Sequence, residues 1–111
     1  MEIARGDIII GSLPGDFGKP RPMLVVQDDA FQGMSSLTVL PLTSDLRTAS
    51  SIRITLEPSE QTGLRERSQI MIDKTGTLLR TRIGQRIGRV DPNMMQTVGR
   101  ALRDFLGLGD F

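Results

Sequence analysis

The apolar residues of the chain fall in short clusters separated by turn formers. Asp7 to Leu13 (DIIIGSL), Met23 to Gln27 (MLVVQ) and Leu37 to Leu42 (LTVLPL) are compact aliphatic runs that predict buried strands. Pro41 withholds one ladder donor and marks a strand end, an edge or a bulge. Ile52 to Leu56 (IRITL) alternates apolar and polar positions, as a strand with one wet face does, and Ser68 to Ile72 (SQIMI) predicts a further strand. Pro14 to Pro20 and Glu57 to Arg67 are rich in polar and turn-forming residues and read as loops. Thr77 to Val90 is ambiguous, because Ile83, Ile87 and Val90 suit a strand or a helical turn. The last element is an amphipathic helix: Asp91 caps it, Pro92 opens it and Gly107 stops it. Met94, Val98, Ala101, Leu102, Phe105 and Leu106 form its apolar stripe. The pattern predicts a mainly β fold, five to seven mostly antiparallel strands curled into a partial barrel with a C-terminal amphipathic helix. At 111 residues this is a single domain, 1–111, with one core.

Composition removes whole classes of chemistry. With no cysteine and no histidine, disulfides, thiolate metal sites, cysteine nucleophiles and the usual neutral-pH base are excluded. No metal and no cofactor are expected. The start of the chain runs directly into strand-like sequence, without a charged leader and apolar segment, so a cytoplasmic protein with no membrane contact is expected.

The net charge of +1 conceals an asymmetry. Residues 1–64 hold five basic and eight acidic side chains, whereas 65–89 hold seven basic and two acidic ones, an excess of five. Such an arginine-rich excess suits phosphate contacts, because the planar guanidinium fork matches phosphate oxygens; a solvated strand face is the alternative.

The remaining polar groups can support RNA self-cleavage, in which the substrate supplies its own 2′-hydroxyl nucleophile. The protein then has to align that oxygen, stabilise added negative charge and manage two proton transfers. Arg21, bracketed by Pro20 and Pro22, leaves a stiff backbone at a strand entrance, suited to a phosphate clamp or to a structural pair with a carboxylate such as Asp7. Thr43 and Ser44 end a buried strand, where their hydroxyls either take part in chemistry or satisfy their own turn. Asp73, followed by Lys74, can orient Arg21, accept a proton or form a strand-end ion pair.

Arg5-Gly6-Asp7, the glycine-bearing loop, Arg21-Pro22-Met23-Leu24-Val25-Val26-Gln27 and Leu40-Pro41-Leu42-Thr43-Ser44 follow one another in an order that resembles the MazF/PemK toxins, which include Kid. The closing helix, ending Phe105-Leu106-Gly107-Leu108, also matches, and the resemblance covers essentially the whole chain. It implies an SH3-like, CcdB/PemK-type barrel and the toxin of a type II toxin–antitoxin system. Such a toxin is a homodimeric, metal-independent endoribonuclease that cuts single-stranded mRNA to 2′,3′-cyclic phosphate and 5′-hydroxyl ends, halting translation and growth. The family's catalytic Arg falls on Arg21, its Thr on Thr43 with Ser44 beside it, and its acid on Asp73. Phe17, Lys19, Gln27, Arg47, Arg65 and Lys74 are then expected to bind RNA, Phe17 by stacking on a base or else latching onto the barrel. The partners implied are RNA and an antitoxin whose acidic tail fills the same groove, with DNA reached only through the antitoxin. Kid-type members carry a further Arg two residues before the acid, where this chain has Met71. Many have an Arg-Thr pair after the acid, where this chain reads Gly76-Thr77. The competing readings are a CcdB-like gyrase-binding toxin without nuclease activity and a non-catalytic nucleic-acid-binding barrel.

Overall fold

The computed structural model describes residues 2–15 and 19–109. Seven strands precede one helix: β1 (Asp7–Gly11), β2 (Arg21–Val25), β3 (Ser36–Thr43), β4 (Arg53–Leu56), β5 (Ser68–Met71), β6 (Gly76–Leu79), β7 (Ile83–Arg89) and α1 (Pro92–Phe105). They form one sheet in the order β4-β5-β3-β2-β1-β7, with β6 also pairing β3. All the pairings are antiparallel, and the sheet does not close into a full barrel.

β3 is the longest strand and serves two partners on one edge. Residues 36–39 pair β6, and Leu42 and Thr43 pair β5, while the opposite edge pairs β2. The Val26 N–H donates to the Thr38 carbonyl, so alternation turns the nitrogen of Pro41 to the edge where β6 has ended and β5 has yet to begin. A proline is tolerated there because no ladder bond is lost.

The central sheet is buried on both faces. Ile8, Leu24, Leu40, Leu42 and Ile70 pack with Val98 and Ala101 of α1 on one side. Ile9, Met23, Val25, Leu37, Val39 and Leu78 pack on the other. The single core expected from chain length is therefore two layers, which explains why β1 to β3 read as continuous apolar runs.

The ambiguous stretch resolves into the end of β6, one 3-10 turn over Arg80–Arg82, and β7. β7 carries register shifts against β1 beside Ile8 and Ile10. These bulges change side-chain parity, so Ile83 joins one core layer and Ile87 the other. Their four-residue spacing imitated a helix for that reason.

Asp91 caps α1 by accepting from the Met94 N–H at 2.7 Å, and Gly107, at φ +72°, ends it as expected. The far end of the predicted stripe is not core: Phe105 and Leu106 are 48% and 54% exposed, and Met95 packs inward instead.

The polar loop before β5 is locked to the sheet through two glycines. The Arg89 N–H donates to the Gln61 carbonyl at 2.8 Å. A side chain on Gly88 would collide with the backbone of Gln61 and Thr62, and one on Gly63, at φ +70°, with the backbone of Ile87. Gly63→Ala is expected to cost about 2 kcal/mol or more of stability, read as a lower urea midpoint. Gly33→Ala, in open space, should leave the midpoint unchanged; equal midpoints for all three proteins would refute this interlock.

Candidate functional site

A groove of about 580 Å³ opens where β1 ends, β2 begins and β3 ends. Lys19, Arg21, Thr43, Ser44, Arg65 and Glu66 line it over an apolar floor that includes Ile10, Leu42 and Ile87. Each side chain arrives for a local reason. Arg21 is the first residue of β2 and lies opposite Gly11. Continuing the Met23–Pro41 register by one pleat sets Arg21 across from Thr43 on the same face of the sheet. Thr43 in turn pairs Gln69, and Gln69 pairs Thr55. One row of polar residues thus crosses four adjacent strands.

Thr43 is the last residue of β3, and its Oγ1 accepts from the Asp45 N–H at 3.1 Å. That turn contact engages a lone pair and leaves the hydroxyl proton to be donated, so the turn-forming and chemical readings of this residue coexist. Gln69, only 2% exposed, holds the segment that follows. Its Oε1 accepts from the Arg47 N–H at 3.0 Å, and its Nε2 donates to the Arg47 carbonyl at 2.8 Å and to Thr55 Oγ1 at 3.3 Å.

Other expected site residues lie elsewhere. β5 ends at Met71, and Asp73 lies in the turn that follows, closed by the Lys74 N–H donating to the Met71 carbonyl at 3.1 Å. It pairs Lys74 at 3.1 Å, and neither residue lines the groove. Gln27 sits beyond the opposite end of β2, where its amide accepts from the Thr38 N–H at 3.1 Å and donates to the Phe31 carbonyl at 3.1 Å. Its role there is to tie a loop to β3. Arg47 contributes backbone to the Gln69 clamp while its guanidinium pairs Asp45 at 3.4 Å in solvent. Phe17 lies outside the described residues. The structural pairing of Asp7 is with Arg86, at 3.7 Å.

The basic stretch does not form one patch. Arg67 pairs Glu57, Arg80 bonds the carbonyls of Gln32 and Met34, and Arg86 turns to Asp7. Of its seven basic residues, Arg65 alone lines this groove. Glu66, which the sequence reading passed over as loop, is the one carboxylate among the described lining residues. Only its place between Arg65 and β5 identifies it, and that place appears once Gly63 and Gly88 have locked the loop down. Met71 faces Arg53 on β4, whose Nη1 is buried without a hydrogen-bond partner. Among the described residues no three His, Cys, Asp or Glu side chains gather into a metal site.

Comparison with known proteins places this geometry. Residues 4–106 match the family model described as PemK-like, MazF-like toxin of type II toxin-antitoxin system. The chain is 43% identical over 105 residues to the probable endoribonuclease MazF of Mycolicibacterium smegmatis, covering 94% of this chain and 96% of that one. It is 31% identical to the endoribonuclease MazF6 of Mycobacterium tuberculosis, over 97% of this chain and all (100%) of that one. Among solved structures, a mycobacterial endoribonuclease in complex with its cognate antitoxin superposes with a TM-score of 0.80. That match covers 99% of this chain and 100% of the other at 23% identity, a likeness of fold.

Gln69→Leu strands the Arg47 amide and carbonyl, at a cost of about 1–3 kcal/mol. Amide hydrogen exchange over residues 45–49 is expected to accelerate while β1 and β2 keep their protection. Unchanged exchange there would show that the clamp does not hold this segment.

Proposed function

Because the chain belongs to the PemK-like, MazF-like toxins of type II toxin–antitoxin systems, we propose that its groove cleaves single-stranded mRNA by attack of the substrate's own 2′-hydroxyl. The chain is an endoribonuclease toxin. The observation that carries the mechanism is the convergence of Arg21 with Thr43 and Ser44 in one groove, flanked by Lys19 and Arg65.

In this reaction the 2′-oxygen bonds to phosphorus and the bond from phosphorus to the 5′-oxygen breaks. A 2′,3′-cyclic phosphate and a 5′-hydroxyl result. Arg21 neutralises the charge that builds on the phosphoryl oxygens, and its permanent positive charge suits it to that role rather than to proton transfer. The Thr43 and Ser44 hydroxyls donate to the same oxygens. Glu66 accepts the proton of the 2′-hydroxyl, and solvent returns one to the departing 5′-oxygen. Asp73, the acid expected from the family, lies outside the groove and acts at a distance by holding Lys74. Lys19 and Arg65 bind flanking phosphates, and no step of the route requires a metal.

The setting follows from this chemistry. mRNA is met in the cytoplasm, and no described helix is long and apolar enough to cross a membrane. An antitoxin with an acidic segment silences the toxin by filling the groove. The toxin acts as a homodimer, a reading supported by exposed Met34 and Leu79 (51% and 50%), the chain neighbours of Ser35 and Arg80, which are joined by a backbone hydrogen bond.

Arg21→Ala is expected to lower the single-turnover cleavage rate about 10²- to 10³-fold with an unchanged thermal midpoint. Wild-type cleavage should persist in EDTA and yield 5′-hydroxyl ends. Near-normal cutting by the variant would reject the assignment. Joint reversal of Lys19 and Arg65 to Glu should weaken RNA and antitoxin together, and a loss confined to one ligand would rule out a shared groove.

A further inference from the structure

A second groove, of about 590 Å³, lies at the other end of β1, between the segment preceding that strand, the end of β7 and one side of α1. Arg5, Arg89, Arg100 and Arg103 line it with Asp29. Asp29 is already engaged: its Oδ1 accepts from the Arg5 backbone N–H at 2.7 Å and from Gln32 Nε2 at 2.9 Å. Among the described residues no carboxylate forms an ion pair with Arg5, Arg89 or Arg100. Arg89 and Arg100 are exposed. Arg5 is held in place, donating through Nη1 to the Val26 carbonyl, and its Nη2 lies against the face of α1 at Gly99, where an added Cβ would stand 3.5 Å away.

Arg5, Arg89 and Arg100 repel one another, and an anion in their midst relieves that repulsion. The floor decides which anion. Val90, Pro92 and Met95 supply apolar surface, and no described lining residue is aromatic. A nucleotide base finds no aromatic ring to stack on. An apolar side chain flanked by carboxylates finds both a seat and bidentate partners.

We propose that this groove docks an acidic peptide segment of a partner protein, anchored by an apolar side chain and held by Arg5, Arg89 and Arg100. It is separate from the RNA groove and does not rest on the catalytic reading of that site.

Fluorescence anisotropy of a labelled peptide repeating Glu-Leu-Glu, titrated with the full chain while a saturating uncleavable 2′-deoxy oligouridine fills the RNA groove, tests the proposal. The Arg89→Glu/Arg100→Glu double variant is expected to weaken binding about tenfold or more. Lys19→Glu/Arg65→Glu should leave it within about twofold of wild type. The Arg89/Arg100 variant should also keep the wild-type melting temperature and RNA cleavage rate. A Gln-Leu-Gln peptide should not bind. Failure of the acidic peptide to bind wild type, or loss only on reversal of Lys19 and Arg65, would overturn the proposal. So would a matching loss of oligouridine binding in the Arg89/Arg100 variant, which would make the groove a nucleic-acid surface.

Discussion

Backbone hydrogen bonds along both edges of β3 hold the two halves of the groove around Arg21 and Thr43 in register. One edge carries β2, whose first residue is Arg21; the other carries β5, whose Gln69 pairs Thr43. Side chains alternate faces along a strand, so a slip of one residue in either ladder would turn Arg21 or Thr43 to the opposite face. Both faces of the central sheet are packed with aliphatic side chains, which penalises such a slip at every position. The geometry of the site is therefore a by-product of core packing. The cost of misplacing one guanidinium is the cost of misplacing a strand.

That coupling explains what the sequence reveals and what it conceals. The strands about Ile8, Leu24 and Leu40, the cap at Asp91 and the stop at Gly107 depend on local chemistry, and they are legible. So is the stiff launch of Arg21 between two prolines. Two core layers in place of one, and the bulges that place Ile83 and Ile87 in different layers, depend on which strands meet, which no local pattern records. Glu66 was hidden for the same reason, since a charged residue in a polar loop looks like any other until two glycines press the loop onto β7. The helix stripe was overextended because Phe105 and Leu106 keep the spacing of core positions after the sheet beneath them has ended.

Charge was the least informative signal. The excess over residues 65–89 suggested one phosphate-binding face, yet the fold sends these side chains to at least four places. Some meet carboxylates, some meet carbonyls, one reaches the RNA groove and one reaches a second groove at the far end of β1. A strand points successive residues in opposite directions, so a linear run of cations is dispersed by construction. Arg21 and Thr43, which the resemblance also names, owe their juxtaposition to the register of β2 on β3. The side chains of Gln27 and Lys74 here hold a loop and a neighbouring carboxylate.

The Gly63–Gly88 contact bears on how the groove varies among toxins of this kind. It anchors the backbone on the near side of Arg65 and Glu66, and the Ser68–Leu56 pairing anchors it on the far side. The intervening residues form an exchangeable cassette on fixed mounts. Their side chains are free to diversify without moving the wall that carries Arg21. Lengthening the cassette is harder, since any added residue has to bulge into the groove or break one of the mounts.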